Sequence, residues 1–506
     1  MGLRLYNTLS QKVEDFEPLE PGKVRMYLCG LTTYDLAHAG HARTNTSFDV
    51  LVRHLRARGY QVTFCRNVTD VDDKILKRAR DLGEAPLALS KRMSDGADAD
   101  LGAIGCGKPD VEPRVSTHIP EIVAFIERLI ASDHAYVADG PKGKDVYFSV
   151  RSFPSYGKLS RRDIDELKAG ARVEASEAKR DPLDFALWKG DDAADFAWDS
   201  PWGRGRPGWH IECSAMSAKH LGEHFDIHAG GMDLIFPHHE NEIAQSEALF
   251  GPPMARYWLH GGFLEVDSEK MSKSLGNFVT IQDILARNDP EALRYFLLGT
   301  HYRGPLSFDV EKTESGRIVF PGVDEAERRV EYLYNTYEAL RAVAGSSEGD
   351  PPAQLREAAK VVAAFPERVL EALDKDLNTP QALAALSELA KTANEIAAVA
   401  TKLKKDPKAL AGAQALAHRA ADALLASCRV LGLLGTTPPE FAERARSRRL
   451  KLRGLDAAWI ESKVKERAEA RAAKDFARGD AVRKELADAG VELLDGPSGT
   501  TWRVTV

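Results

Sequence analysis

At 506 residues the chain is longer than one hydrophobic core serves, and about three domains of about 150 residues each are expected. With 43% hydrophobic and 29% charged residues it has an ordinary globular balance, and no run of ~18 apolar residues offers a membrane span. A net charge of −7 excludes a uniformly basic nucleic-acid binder, yet residues 444–484 hold 14 Lys and Arg against 6 Asp and Glu, which leaves −15 on the remainder. A basic segment on an acidic body suits either a docking polyanion or a solvated helix. The five cysteines (29, 65, 106, 213 and 428) show no paired spacing, and MGLRLYNTLSQ has no apolar signal region, so a reducing cytoplasm is the expected location.

Residues 1–122 alternate strand and helix patterns. KVRMYLCG (23–30) alternates and is β-favouring, and TSFDVLVRHLRARGY (46–60) sets Phe48, Leu51, Val52 and Leu55 on one helical face. YQVTFCRNVTD (60–70) reads as a strand and DKILKRARDLG (73–83) as a helix, which predicts a parallel sheet with crossover helices. Asp70, Asp72 and Asp73 lack the spacing and glycine of a calcium loop and read as strand-end and helix-start acids. Residues 123–207, with DVYFSV and SPWGRGRPG, change character and read as an insertion. Strand and helix patterns return over 208–262, in IHAGGMDLIFP and HHENEIAQSEALF, and a linker domain over 263–312 follows. Residues 313–446 are Ala/Leu/Glu-rich and helical, broken by GSSEGDPP and TTPPE. Residues 447–506 join a basic helical stretch to VELLDGPSGTTWRVTV, a predicted β-hairpin. The expected class is α/β: a Rossmann-like parallel-sheet domain with an insertion, then an α-helical bundle and a small C-terminal α+β module.

Two motifs carry candidate chemistry. CGLTTYDLAHAGHARTN (29–45) places His38 and His41 in a predicted strand-to-helix loop, where open α/β sheets bind ligands. No further His or carboxylate follows on the same element to complete a metal site. With Gly40 between them and a helix start downstream, phosphate binding is the better physical reading, and structural histidines are the alternative. VDSEKMSKSLGNF (266–278) sets Lys270 and Lys273 three apart among Ser and Gly, as in a loop that reaches a polyphosphate or as an ordinary basic surface loop. Together, H-x-G-H and KMSKS resemble the class I aminoacyl-tRNA synthetases, with Ala39 standing where that family usually has isoleucine. Cys29, Cys213, His238 and Glu242 form a candidate zinc set of two thiolates, an imidazole and a carboxylate, with His238 and Glu242 one helical turn apart. From spacing alone, scattered cysteines are more often buried small hydrophobes than metal ligands. Cys65, Cys106, Cys428, His224 and His260 read as structural.

YLCGLTTYDLAHAGH, RNVTDVDDKI, GWHIECSAM, FPHHENEIAQ and KMSKSLGN, in this order, resemble the cysteinyl-tRNA synthetases, and the likeness resumes at DLNTPQAL (376–383) and across the C-terminal 40 residues. The resemblance implies an ATP-dependent, AMP-forming cysteine–tRNA ligase with one zinc ion per chain on Cys29, Cys213, His238 and Glu242. It implies phosphate contacts from His38, His41, Lys270 and Lys273, a substrate pocket at Thr32, Thr69 and Trp209, and an adenylate-contacting turn at Gly230, Gly231 and Asp233. Met232 stands in that turn where the family usually has serine. The implied partners are L-cysteine, ATP with Mg²⁺ and tRNA(Cys), with no membrane, and a monomer is expected. The resemblance places anticodon recognition in the C-terminal module, where Arg471 offers a donor fork, Phe476 a stacking face and Asp480 an acceptor, with Asp495 a fourth candidate. Alternatively Phe476 packs the module's own core. The nearest rival is an ATP-dependent ligase of cysteine to an amino sugar, as in mycothiol-type synthesis. A zinc-containing RNA-binding protein without catalysis is a second.

Overall fold

The computed structural model describes residues 2–163, 179–193, 196–266, 269–270 (backbone), 278–313, 318–346, 348–403, 405–496 and 499–505. Two compact units emerge, one of residues 1–281, 297–307 and 367–384, the other of 282–296, 308–366 and 385–506.

The first unit opens with an antiparallel hairpin of β1 (Arg4–Asn7) and β2 (Lys12–Asp15). Next come β3 (Lys23–Leu28), α1 (Ala39–Ala57) and β4 (Gln61–Arg66), with β3 and β4 parallel. Helices α2 (Asp73–Leu82), α3 (Pro86–Ala103) and α4 (Ile119–Ala131) lead into the expected insertion. It is an antiparallel sheet of β5 (Ala135–Gly140), β6 (Gly143–Phe148), β7 (Phe185–Gly190) and β8 (Gly205–Pro207). Then α5 (Trp209–Leu221), β9 (Phe225–Gly231), α6 (Glu240–Phe250) and β10 (Ala255–Gly261) complete a four-stranded parallel sheet of order β10-β9-β3-β4. A three-stranded ladder follows, of order β12-β11-β13, from β11 (Leu264–Val266), β12 (Glu269–Lys270) and β13 (Leu306–Ser307).

The alternation in KVRMYL explains how β3 serves two layers, because successive side chains leave opposite faces of a strand. Val24, Met26 and Leu28 pack with Phe48, Leu51, Val52 and Leu55 of α1, while Tyr27 joins Cys65, Cys213, Ile243 and Trp258 on the other side. Because β4 and β9 flank β3 on opposite edges, a crevice opens beyond the C-terminal end of β3.

Helix α1 corrects one expectation. It begins at Ala39 rather than near residue 46, so His38 is the cap and His41 lies in the first turn instead of a loop. The His38 Nδ1 accepts from the backbone N–H of Gly40 (3.1 Å) and His41 (3.3 Å), and the His41 Nδ1 accepts from the N–H of His38 (3.3 Å). Two imidazoles thus build the reciprocal cap that Ser/Thr and Glu/Gln usually form, which hides the helix start from rules tuned to those residues.

DLNTPQAL, set within helical sequence, belongs to the first unit. Asp374 accepts from His54 Nε2 at 2.8 Å and pairs with Arg58, and Asp376 accepts from the Tyr302 hydroxyl (2.9 Å) and Arg303 Nε (2.8 Å).

In chain order the remaining elements are α7 (Ile281–Leu285), α8 (Pro290–Leu298), the short pair β14 (Glu311–Lys312) and β15 (Ile318–Val319), and the long helices α9 (Pro321–Val343), α10 (Arg356–Leu373), α11 (Thr379–Lys402) and α12 (Pro407–Val430). Helix α13 (Pro438–Arg453) runs through the boundary expected at 446/447. It is followed by α14 (Ala457–Ala472), α15 (Phe476–Asp488) and the expected hairpin of β16 (Val491–Gly496) and β17 (Gly499–Val504). The helix continues to Gly454, whose left-handed backbone ends it, and ion pairs anchor one face. Arg444 and Arg448 bind buried Asp289 at 2.7 and 3.2 Å, and Arg448 and Arg449 bind buried Glu327 at 2.6 and 2.9 Å. Arg449 also reaches Glu331 (2.9 Å) and the Val504 carbonyl (3.1 Å). Part of the basic segment is therefore spent on intramolecular acids.

Removing one partner of a buried ion pair strands the other charge. Arg449→Met is expected to destabilise the second unit by about 3 kcal/mol, read by urea unfolding of the full chain. A change below about 1 kcal/mol, the scale of an exposed pair, would show that the network adds little.

Candidate active site

The crevice at the end of β3 holds a cavity of about 310 Å³. Cys29, Thr32, His38, His41, Asn67, Thr69, Trp209, Cys213, Gly231, Asp233 and His238 are among the residues that line it. Cys29 follows β3 directly. The next residue, Gly30, donates its N–H to Asn67 Oδ1 at 2.8 Å, and a Cβ there would overlap the Asn67 carbonyl oxygen. Only glycine lets the two strand ends approach this closely.

Four donor atoms converge behind this wall. Cys29, Cys213, His238 and Glu242 each offer one ligand atom, all within 4.8 Å of one another. The Cys29 sulfur is 3.8 Å from Cys213 Sγ and 3.5 Å from Glu242 Oε1, and His238 Nε2 is 3.0 Å from the same oxygen. Helical geometry makes the last contact, since His238 and Glu242 are one turn apart, whereas Glu240 turns away and binds the N–H groups of Gly157 and Ser160.

Sequence reasoning missed a second set, Cys29, His228, His239 and Glu242, which meets the same distance test. His228 Nε2 bonds Glu242 Oε2 at 2.8 Å, and its ring stacks on Trp258. His239 lies 3.3 Å from the Cys29 sulfur and bonds His260 at 2.8 Å, and His260 in turn meets the Thr8 hydroxyl at 2.8 Å. Cys213 and His238 line the cavity, while His228 and His239 do not. A metal that meets a substrate needs the open set, which leaves His228 and His239 to orient Glu242 and Cys29 from behind. The available signal for His228 was its inward position on a buried strand, which any core histidine shares.

The electrostatics follow from burial. Desolvation raises the Cys29 thiol well above its usual range, whereas the hydrogen bond from Cys29 brings Cys213 down to about 6. Burial opposes charge on Glu242, but His228 and His238 hold its carboxyl well below the usual range. Burial likewise works against His238, and Glu242 and Cys213 lift it to about 10. Two sulfurs, one imidazole and one carboxylate form a borderline-soft donor set, and their chemistry fits zinc.

At the rim, the rings of His38 and His41 stack at 3.6 Å between centroids. Thr32 and Thr69 pair across the strand ends, the Thr69 hydroxyl accepts from Asn67 Nδ2 at 3.1 Å, and Trp209 stacks on His238 at 4.3 Å. Gly230 and Gly231 close β9, with Asp233 in the turn beyond. Lys270 lies on β12, paired with Glu265, and Lys273 lies outside the described residues.

Arg471, Phe476 and Asp480 are all exposed, Phe476 by 63%, so Phe476 is not part of the module's core of Ile460, Val482, Leu486, Val491 and Val504. Asp495 is occupied: Arg467 grips both its oxygens at 2.8 Å, and Thr500 donates to it at 2.7 Å. No disulfide joins any of the five cysteines, and among the described residues no helix is long and apolar enough to cross a membrane.

Comparison with known proteins gives the following. The pattern of the tRNA synthetases class I (C) catalytic domain matches residues 15–317, and the DALR domain matches 368–435. The chain is 52% identical to a cysteine–tRNA ligase of Anaeromyxobacter dehalogenans (strain 2CP-C) over 510 aligned positions, covering 100% of both chains. It is 48% identical to the cysteine–tRNA ligase of Geobacter metallireducens, again covering 100% of both. Its fold is similar to Mycobacterium tuberculosis methionyl-tRNA synthetase in complex with methionyl-adenylate, with a TM-score of 0.61 at 17% identity, covering 86% of this chain and 94% of that one. A leucyl-tRNA synthetase of Agrobacterium radiobacter K84 matches with a TM-score of 0.56 at 13% identity, covering 84% and 87%.

Thiolates supply most of the bond strength in such a donor set. Cys213→Ser is expected to drop zinc from about one ion per chain to near none, measured by elemental analysis of the purified protein. Full zinc retention in that variant would assign the ion to the His228/His239 set instead.

Proposed function

Because the chain belongs to the class I cysteine–tRNA ligase family, we propose that it activates L-cysteine with ATP and transfers the cysteinyl group to the 3′ adenosine of tRNA(Cys). The observation that carries this reading is the cavity itself, with Cys29, Cys213 and His238 on its wall and His38 and His41 at its rim. When bound, zinc supplies a Lewis-acid site that favours an ionised thiol over the hydroxyl of serine.

The chain's own residues do the rest. Cys29, Cys213, His238 and Glu242 would hold the ion, and Thr32, Thr69 and Trp209 frame the amino acid. The cysteine carboxylate attacks the α-phosphate of ATP, forming a mixed anhydride and releasing pyrophosphate. Gly230, Gly231 and Asp233 lie where a nucleoside runs along the strand ends. His38, His41, Lys270 and Lys273 stabilise negative charge as it develops on the phosphates, so their role is electrostatic. ATP enters with Mg²⁺. In the second step the tRNA hydroxyl attacks the carbonyl carbon, and AMP leaves.

The C-terminal module suits the tRNA. Lys451, Lys465, Lys474, Arg483 and Lys484 remain exposed for phosphates, and Phe476 offers an open face to an unstacked base, beside Arg471 and Asp480. Asp495 serves better as the lock between α14 and the hairpin than as a reader of bases, because Arg467 and Thr500 already fill its oxygens. Ligation of cysteine to an amino sugar is disfavoured by relatives that align with this chain end to end.

The deciding experiment is cysteine-dependent ATP–pyrophosphate exchange followed by charging of total tRNA. Exchange with serine is expected to be lower by about 10⁴ or more in kcat/KM, and comparable rates with both amino acids would refute thiol recognition. Lys273→Ala is expected to lower kcat for exchange by about 10²–10³ with little change in KM for cysteine. An effect confined to KM for ATP would make Lys273 a ground-state binder. Asp480→Ala should raise KM for tRNA(Cys) more than for an anticodon-altered tRNA while leaving exchange intact. Equal effects on both tRNAs would remove Asp480 from recognition.

A further inference from the structure

Arg43 lies two residues past His41 on α1 and is only 2% exposed. Its guanidinium faces backbone carbonyls. Nη1 donates to Phe263 at 2.8 Å, and Nη2 donates to His301 at 3.3 Å and to Gly304. Burial pushes the guanidinium down to about 10, with Glu265 working against that shift. Anchoring a helix needs no buried cation, since an apolar side chain fills such a gap without the desolvation cost. What the planar fork adds is direction, because it holds several acceptors in one fixed arrangement.

Those acceptors lie at the root of the β12-β11-β13 ladder. Phe263 immediately precedes β11, and 301–304 leads into β13, which pairs parallel with β11. The other edge of β11 pairs antiparallel with β12, Glu265 opposite Lys270. The 301–304 turn is independently held by Asp376 through Tyr302 and Arg303. Downstream of β12, residues 279–281 meet the same helix start, where Ala39 N–H donates to the Val279 carbonyl and Ile281 N–H to the Ala37 carbonyl, both at 3.0 Å. The ring of Phe278 meets the edge of His38 at 5.0 Å. Both ends of the segment bearing Lys270 are thus tied to the first turns of α1, downstream by backbone and upstream by one guanidinium.

We infer that Arg43 is a positioning residue for amino-acid activation, fixing the strand that carries Lys270 at a set distance from His38 and His41. The inference rests on the reading above, in which both cationic clusters act on one triphosphate. Charge stabilisation of this kind is sensitive to displacements of about 1 Å. It also belongs to one step only, because pyrophosphate has left before the tRNA is charged. A merely structural arginine has no means of distinguishing the two steps.

Arg43→Lys keeps the charge and loses the fork. In the full-length enzyme, single-turnover formation of cysteinyl-adenylate is expected to slow by a factor on the order of 10–10². Transfer to tRNA from added synthetic cysteinyl-adenylate should stay within about threefold of wild type, with zinc content and KM for cysteine unchanged. A second variant reaches the same strand by another route: a Cβ on Gly262 would collide with the carbonyl oxygens of Arg303 and Gly304 and push the chain off the turn. Gly262→Ala should therefore reproduce the loss confined to activation, and it decides the matter if Arg43→Lys fails to fold. Equal slowing of both steps, loss of zinc in the soluble variants, or unchanged activation would overturn the positioning role while leaving the wild-type activity in place. A wild-type chain without cysteine-dependent exchange would instead remove the functional reading, and this inference with it.

Discussion

A carboxylate without water governs the catalytic unit. Glu242 is fully buried, and an isolated charge there would cost several kcal/mol. It stays ionised because His228 and His238 each bond one of its oxygens, at 2.8 and 3.0 Å. That arrangement needs β9 to deliver His228, the helical turn Ile235–His239 to deliver His238 directly before α6 delivers Glu242, and β3 and α5 to bring the two sulfurs. The strand order β10-β9-β3-β4 meets the requirement, because it sets the ends of β3 and β9 side by side. Thr8, near the N-terminal hairpin, closes the chain of contacts through His260 and His239 to Cys29.

Around that buried charge the unit divides its labour by depth. The sulfur-bearing set of Cys29, Cys213, His238 and Glu242 lies inward, among buried side chains. The imidazoles of His38 and His41 lie at the rim, where they cap α1. Their Nδ1 atoms start α1, and both residues line the cavity. Capping and the phosphate binding proposed for these rings draw on the same property, a compact polar ring at a helix N-terminus, where N–H groups favour negative charge.

The charge pattern of the second unit is subtler than its composition. The excess of basic residues over 444–484 suggests one continuous polyanion surface, yet Arg444, Arg448, Arg449 and Arg467 bind acids of their own unit. Those arginines hold the helices and hairpin together. The lysines and arginines left exposed lie mainly around α14 and α15, near Phe476.

Much of this was legible in the sequence. Alternation in KVRMYL, the helical face of Phe48, Leu51, Val52 and Leu55, and the terminal hairpin follow from periodicity, which depends only on neighbours along the chain. The spacing of His38, Gly40 and His41, and of His238 and Glu242, is likewise local, and so the family motifs could be recognised. What the sequence could not supply were contacts between residues hundreds of positions apart. The placing of His228 and His239 behind Glu242, the capture of Asp374 and Asp376 by the first unit, the occupation of Asp495 by Arg467 and the burial of Arg43 against distant carbonyls are of that kind. Each is set by which elements pack together, and a buried polar side chain reveals its role only through the partner that compensates its desolvation. Local pattern determined the elements and the motif residues, while tertiary packing decided which polar groups serve the site and which serve the fold.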